Sequence, residues 1–286
     1  MKSTAYSLEF ASTFATEEEC LNYMCQLKWA NGFECRRCSH KISVKGRKWF
    51  YRRCQNCRYD ESCIAHTLFH KLKFPICNAF MIVYQISTLK KGLSTCEISR
   101  QHKIHQETGW FFKRKVQQAM NYEYFDDLLQ NKKYVLKENF SFCSGEKDKA
   151  DKKTHLNVSV RIQIKTEEED ELLLLTIEPS AEVKRCKIIE VQKTDLKNKK
   201  KLHRKIKINF KMGSNNSLPK LKCHIFNLKN WIRGIHHSIT LEHLERYLHE
   251  YQYRFNSKNS TNCNPNRVLE AMVALPWLPY SKAMAN

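Results

Sequence analysis

The stretch ECRRCSHKISVKGRKWFYRRCQNCRYD, residues 34–60, decides how the first part of the chain folds. Cys35, Cys38, Cys54 and Cys57 follow the pattern C-x2-C-x15-C-x2-C. Each pair is a tight knuckle offering two thiolates, and a hairpin between the pairs brings them together around tetrahedral Zn²⁺. Four cysteines leave no open coordination position, so the expected ion is structural. Between Cys35 and Cys57 lie Arg36, Arg37, Lys41, Lys45, Arg47, Lys48, Arg52 and Arg53, with no acid among them. Trp49, Phe50 and Tyr51 interleave on the second strand. A ribbon so basic and aromatic suits a phosphate backbone, or the stacking of unpaired bases. A merely solvated surface is the alternative.

The rest of the composition agrees with an anionic partner. The chain has 286 residues, enough for two or three small domains, and a formal net charge of +21. Such an excess attracts a polyanion and releases its counterions, which makes nucleic acid the default partner. With 42% hydrophobic residues the chain can build real cores. Met1–Thr16 has no apolar run, so no signal peptide is expected. FPICNAFMIVYQIST at 74–88 is too short to span a bilayer and reads as a buried helix, so no membrane partner is expected. Thirteen cysteines point to reduced thiols and metal binding rather than a disulfide frame. Cys20, Cys25, Cys63, Cys77, Cys96, Cys143, Cys186, Cys223 and Cys263 lack ligand spacing and read as buried thiols.

Beyond the ribbon, Pro75 opens a helix expected to run to about Lys91, with Gly92 as its stop. Ser94 with Glu97 fits a capping box for a short helix, and another follows over 106–120. Phe112, Val116 and Ala119 would face inward, leaving Lys113, Arg114 and Gln117 to project towards a DNA groove. This is a helix–turn–helix pattern, with a generic three-helix scaffold as its alternative.

The order of these features resembles a known family. The ribbon, then FHKLKFPICNAFMIVYQISTLKKGLSTCEISRQHKI (69–104), then ETGWFFKRKVQQAM (107–120), is similar to the N-terminal half of bacterial insertion-sequence transposases. These are the zinc-ribbon members of the group related to the eukaryotic Merlin elements. FNLKNWIRGIHHSITLEHLERYLHEYQYRFN (226–256) resembles the end of their catalytic domain. The resemblance implies a multidomain α+β and α/β chain: an N-terminal helix and zinc ribbon (1–72), a helix–turn–helix (73–131), a shortened RNase H-like domain (132–257) and a tail (258–286). Strand patterns at 133–142, 156–165, 172–178, 186–192 and 205–211 fit such a domain on their own account. So does a closing helix whose Leu241, Leu244, Leu248, Tyr251 and Phe255 share a face.

The resemblance further implies two-metal phosphoryl transfer on Mg²⁺ held by Asp-Asp-Glu or Asp-Asp-Asn. It places Asn139, in NFSFCSG, where the first Asp belongs. Asp195 in KTD matches the second position and Asn227 in HIFNLKNW the third. Glu138 would substitute for the first acid only through a bulge, because adjacent strand residues alternate faces. One carboxylate between two Asn residues is too little charge for two divalent cations, so strand transfer is expected to be weak or absent. The run 193–211 carries nine Lys and Arg against one acid, and would hold DNA near that site or simply be solvated. Adjacent His236 and His237 diverge and are not read as ligands. The expected partners are the duplex terminal inverted repeats of a mobile element and a second copy of the chain. The expected location is the nucleoid of a bacterium or the nucleus of a eukaryote. A non-catalytic DNA-binding derivative is the alternative, and a zinc-ribbon RNA-binding protein a weaker one.

Overall fold

The computed structural model describes residues 9–89, 91–130, 136–144, 156–167, 170–178, 208–212, 219–236, 241–259 and 265–277. They fall into two compact units, one of residues 1–123 with 264–285, the other centred on 124–263. Helices predominate, with a small antiparallel sheet in each unit. Among the described residues no helix is long and apolar enough to cross a membrane.

After a helical stretch at residues 9–13, the first unit continues with helix α1 (Glu17–Lys28), started by a complete capping box. Thr16 Oγ1 accepts from the Glu19 amide at 3.2 Å, and the Glu19 carboxylate accepts from the Thr16 amide at 2.8 Å. The ribbon follows as strands β1 (Ser43–Lys45), β2 (Tyr51–Cys54) and β3 (Asp60–Ser62), antiparallel in that order. Helix α2 (Ile76–Thr88) is the centre of the unit, with Ala79, Phe80, Ile82, Val83 and Ile86 wholly buried. It ends short of the expected Lys91. The Ser87 and Thr88 hydroxyls donate back to the Val83 and Tyr84 carbonyls at 2.7 and 2.8 Å, and Leu89 turns to an extended conformation. Gly92, at φ 80, closes the turn beyond by donating to the Leu89 carbonyl.

Helices α3 (Thr95–His102) and α4 (Gln106–Gln130) come next. Ser94 caps α3 by accepting from the Glu97 amide. The Glu97 carboxylate turns instead to Arg100 and Gln101. Gly109 permits the close approach of α4 to α3, since a Cβ there would lie 3.2 Å from Ile98 Cγ2. A run of aromatic contacts ties the unit together: Phe14 on Phe80 at 5.0 Å, Phe80 on Phe69 at 5.7 Å, and Phe69 on Phe112 at 6.2 Å. Such pairs add to the burial of apolar area.

The segment expected to be a tail after residue 257 is instead part of this first unit. Its helix α7 (Pro265–Ala274) buries Val268, Leu269 and Met272 completely. The Leu68 amide donates to the Met272 carbonyl at 3.0 Å, and the Trp277 amide to the His66 carbonyl at 3.1 Å. A short amphipathic helix has no reason of its own to fold, but it closes a core that the preceding helices leave open. The ribbon and the helices that follow it, up to residue 123, fall in one compact unit.

The second unit holds β4 (Leu136–Ser144), β5 (Leu156–Glu167), β6 (Asp170–Glu178) and β7 (Ile208–Met212), in the spatial order β6-β5-β4-β7, all neighbours antiparallel. Four of the five expected strands are therefore observed, and the fifth, 186–192, lies outside the described residues. Alternation divides this sheet into two faces. Phe140, Phe142, Ile162, Val160, Leu175 and Ile177 are in register on one, and Asn139, Ser141, Arg161, Gln163 and Thr176 on the other. Helix α5 (Pro219–Trp231) passes through a π turn (Ile232–His236), and α6 (Leu241–Asn259) follows. Leu244 and Leu248 of α6 are buried as expected, while Tyr251 and Phe255 are half-buried.

Met272→Ala should cost about 2–5 kcal/mol in denaturant unfolding, the cost of a cavity in a closed core. A detached tail would show no change.

Candidate metal centre and nucleic-acid interface

The Sγ atoms of Cys35, Cys38, Cys54 and Cys57 all lie within 4.8 Å of one another. Cys35 and Cys57 are 3.5 Å apart, Cys38 and Cys54 3.6 Å. A tetrahedron with Zn–S bonds of ~2.3 Å has edges of roughly 3.8 Å, so these spacings fit zinc. The two knuckles are built alike. Ser39 donates to the Cys35 carbonyl and Cys35 to that of His40; Arg58 donates to the Cys54 carbonyl and Cys54 to that of Tyr59. In each, the residue after the second cysteine is left-handed, Ser39 at φ 55 and Arg58 at φ 59. Neither is a glycine, so each carries backbone strain.

The thiols are prepared unequally. The His40 amide, aided by the neighbouring thiols, brings the Cys38 thiol down to about 6. The Tyr59 amide acts likewise on Cys57, but burial and the three other cysteines outweigh it and push that thiol up to about 12. One thiolate thus forms readily, and a second beside it needs a cation. Phe33 and the buried Cys35 and Cys54 pack with Trp29 and Tyr59 around the cluster.

Above the cluster, β1 and β2 pair Val44 with Arg53 and Lys45 with Arg52. Gly46 closes the hairpin, because a Cβ there would meet Tyr51 Cβ at 2.6 Å. Arg36, Arg37, Arg47, Lys48 and Arg52 are exposed, as are Ile42, Val44 and Trp49. Arg47 lies over the Tyr51 ring at 4.7 Å and Arg52 over Trp29 at 5.0 Å, which orders both cations without neutralising them.

Two expected contacts are compromised by acids just past Cys57. Arg53 makes two bonds to Asp60, at 2.9 and 2.8 Å. Arg36 Nε lies 3.6 Å from Glu61, whose buried carboxylate is held by Lys28 at 2.7 Å. Strand β3 sets Asp60 beside Arg53 and Glu61 beside Arg52. Arg37, Arg47, Lys48 and Arg52 remain as the ribbon's unneutralised cations among the expected contacts.

The expected groove-facing residues of α4 are placed differently. Lys113, Arg114 and Gln117 are buried, at 2%, 2% and 1% exposure, alongside Phe112, Val116 and Ala119. Lys113 Nζ donates to the Leu93 carbonyl at 2.7 Å, and Arg114 lies over the Trp110 ring at 4.3 Å. Spacing alone misled here, because α4 is covered on more than the one face that its apolar residues mark. Lys115, not singled out in the sequence, is buried too and donates to the His70 carbonyl at 3.2 Å. Burial brings its ammonium down to about 8.

Asn139 is on β4, where its ladder partner is Arg161, and Asn227 is exposed on α5. Asp195 lies outside the described residues. The ladder of β4 with β5 runs from Leu136 to Ser144 without a skipped residue, so no bulge brings Glu138 to the face of Asn139.

Compared with known families, residues 15–60 match a transposase zinc-ribbon domain and residues 214–256 an ISXO2-like transposase domain. The first spans α1 and most of the ribbon; the second spans α5, with Asn227, and most of α6. No curated protein and no solved structure matches the chain.

Cys54→Ser should reduce the metal content from a single zinc per chain to a weakly held fraction, as measured by elemental analysis, with loss of ribbon amide dispersion in NMR. Arg58→Gly should raise the unfolding free energy by about 0.5–1 kcal/mol by relieving the left-handed strain. Lys115 loses its proton more easily folded than unfolded, so stability should rise from about pH 8 towards the unfolded value of about 10.4. Lys115→Met should therefore stabilise the chain at neutral pH, with the gain shrinking as the pH passes through that window in thermal melts.

Proposed function

We propose that the chain binds the duplex terminal repeats of a mobile element through the ribbon and has lost most or all strand-transfer activity. This reading is supported by the match of residues 15–60 to a transposase zinc-ribbon domain and of residues 214–256 to an ISXO2-like transposase domain. The observation that carries the first half is the exposure of Arg37, Arg47, Lys48 and Arg52 on a hairpin anchored by a four-cysteine cluster. A rigid, metal-held hairpin presents cations at fixed spacing, which is what a repeating phosphate backbone rewards. Two element ends brought together call for more than one copy of the chain, so a homo-oligomer belongs to the same reading.

The second half follows from the donor set. In an RNase H-like reading of the second unit, the three positions are Asn139, Asp195 and Asn227. The two that are described are neutral amides, and the ladder partner of Asn139 is a cation, Arg161. Mg²⁺ prefers charged oxygen ligands. A pair of Mg²⁺ ions does not fit such a set. A surviving activity would have to rest on Asp195 alone. The α2–α3–α4 region serves in this reading as the helical partner of the ribbon, in the manner of a helix–turn–helix. The runner-up, a DNA-binding derivative without any catalysis, differs only in the fate of Asp195.

Arg47→Ala with Lys48→Ala should weaken duplex binding to a similar degree on every sequence, and lower the slope of log K against log salt by about two. Purified protein given terminal-repeat DNA with Mg²⁺ or Mn²⁺ should yield no nicked product. Robust nicking that Asp195→Ala abolishes would overturn the reading of lost catalysis.

A further inference from the structure

We propose that the cleft between the start of α2 and the α3–α4 turn is a second DNA-phosphate site, separate from the ribbon. The inference rests on the reading of the chain as DNA-binding and specifies where its helical half touches the polymer. The cleft has a volume of about 990 Å³, and Lys73, Pro75, Asn78, Lys103, His105 and Gln106 are among its lining residues. It is open to solvent, and Lys73 and Lys103 are both exposed on it. None of the ion pairs among the described residues engages either ammonium. Glu107 is the single acid of the lining, so two ammonium groups face one carboxylate. With His102 and His105 neutral the cleft still carries net positive charge.

The turn holds these groups in place. Lys103 closes α3 in the left-handed region, at φ 53 and ψ 42, and its amide donates to the Ser99 carbonyl. Ser99 Oγ donates to the Ile104 carbonyl at 2.6 Å, and the Ile104 amide returns a bond to the Ser99 carbonyl at 3.2 Å. His102 bonds Gln85 of α2 at 2.9 Å, fixing the turn against the central helix. Across the cleft, α2 starts at Pro75 with no side-chain cap and no acid in its first turn. The positive end of its helix dipole adds to a site the lysines already define.

Duplex DNA is the occupant these observations favour. Lys113, Arg114 and Gln117 are buried, so α4 cannot reach a duplex through its middle. The exposed residues at its start, His105, Gln106 and Glu107, adjoin the cleft. An open, cationic cleft at the start of that helix suits a backbone phosphate whose neighbours continue past it on both sides.

The test uses the full-length, zinc-loaded chain and a mixed-sequence DNA duplex, followed by fluorescence anisotropy over a range of KCl concentrations. Lys73→Glu with Lys103→Glu should weaken binding by at least about tenfold at 0.1 M salt and lower the salt slope by about two. Zinc content and melting temperature should stay as in the unaltered chain, since both side chains are exposed. If charge reversal disturbs folding, Lys73→Gln with Lys103→Gln should lower the slope equally. Lys113→Met should lower the melting temperature and leave the slope unchanged. If the ribbon variant Arg47→Glu/Lys48→Glu weakens binding while the cleft variants keep both affinity and slope, the cleft site is wrong and the ribbon reading stands. If the unaltered chain does not bind the duplex, both readings fall.

Discussion

Four thiols held within 4.8 Å of one another are the constraint on which the first half of the molecule depends. The ribbon strands are three, four and three residues long. A sheet of that size has too little apolar surface to fold alone. A cation that draws off the thiol protons supplies what the strands lack, because its binding free energy becomes folding free energy. The cluster also accounts for the strained Ser39 and Arg58, since a knuckle needs its turn whether or not a glycine is there to make it. The exposed cations of the hairpin lie on strands and a turn whose register is fixed by β1–β2 and β2–β3 pairing.

The ribbon was legible because metal-ligand spacing is a local property of the chain. Cys35, Cys38, Cys54 and Cys57 stand together as the spacing requires. The ribbon's electrostatics were only partly legible, because Asp60 and Glu61 fall just past the second knuckle and reach Arg53 and Arg36 only once β3 folds back. Lys113, Arg114 and Gln117 show the limit more sharply. Apolar spacing marks one buried face of α4, yet long cationic side chains also bury their stems when a backbone carbonyl or an indole face receives the charge, as Leu93 and Trp110 do. Helix α7 had the right amphipathic pattern, but its partner surface is assembled from residues some two hundred positions earlier in the chain, and no local signal records that.

In the proposed reading, the second unit keeps a continuous sheet while one metal-ligand position is neutral. The ladder around Asn139 is continuous, and one face is mainly apolar, although Glu138 stands on it and Leu172 and Leu174 stand on the other. The resemblance aligns the neutral Asn139 of β4 with a position where such transposases carry an acid. Packing depends on the apolar face, metal binding on single carboxylates of the other. In that reading, loss of one carboxylate would remove catalysis at little cost to the fold. The ribbon is in the opposite position, because its metal ligands are also what holds it together.

That coupling between metal, fold and DNA grip is the centre of the account. The direct measurement is to strip the chain with a chelator under reducing conditions and titrate Zn²⁺ back while following duplex binding by anisotropy. Binding should be lost on stripping and return in full with a single equivalent of zinc, in step with the recovery of ribbon structure. A stripped chain that binds the duplex as tightly as the loaded one would contradict the account.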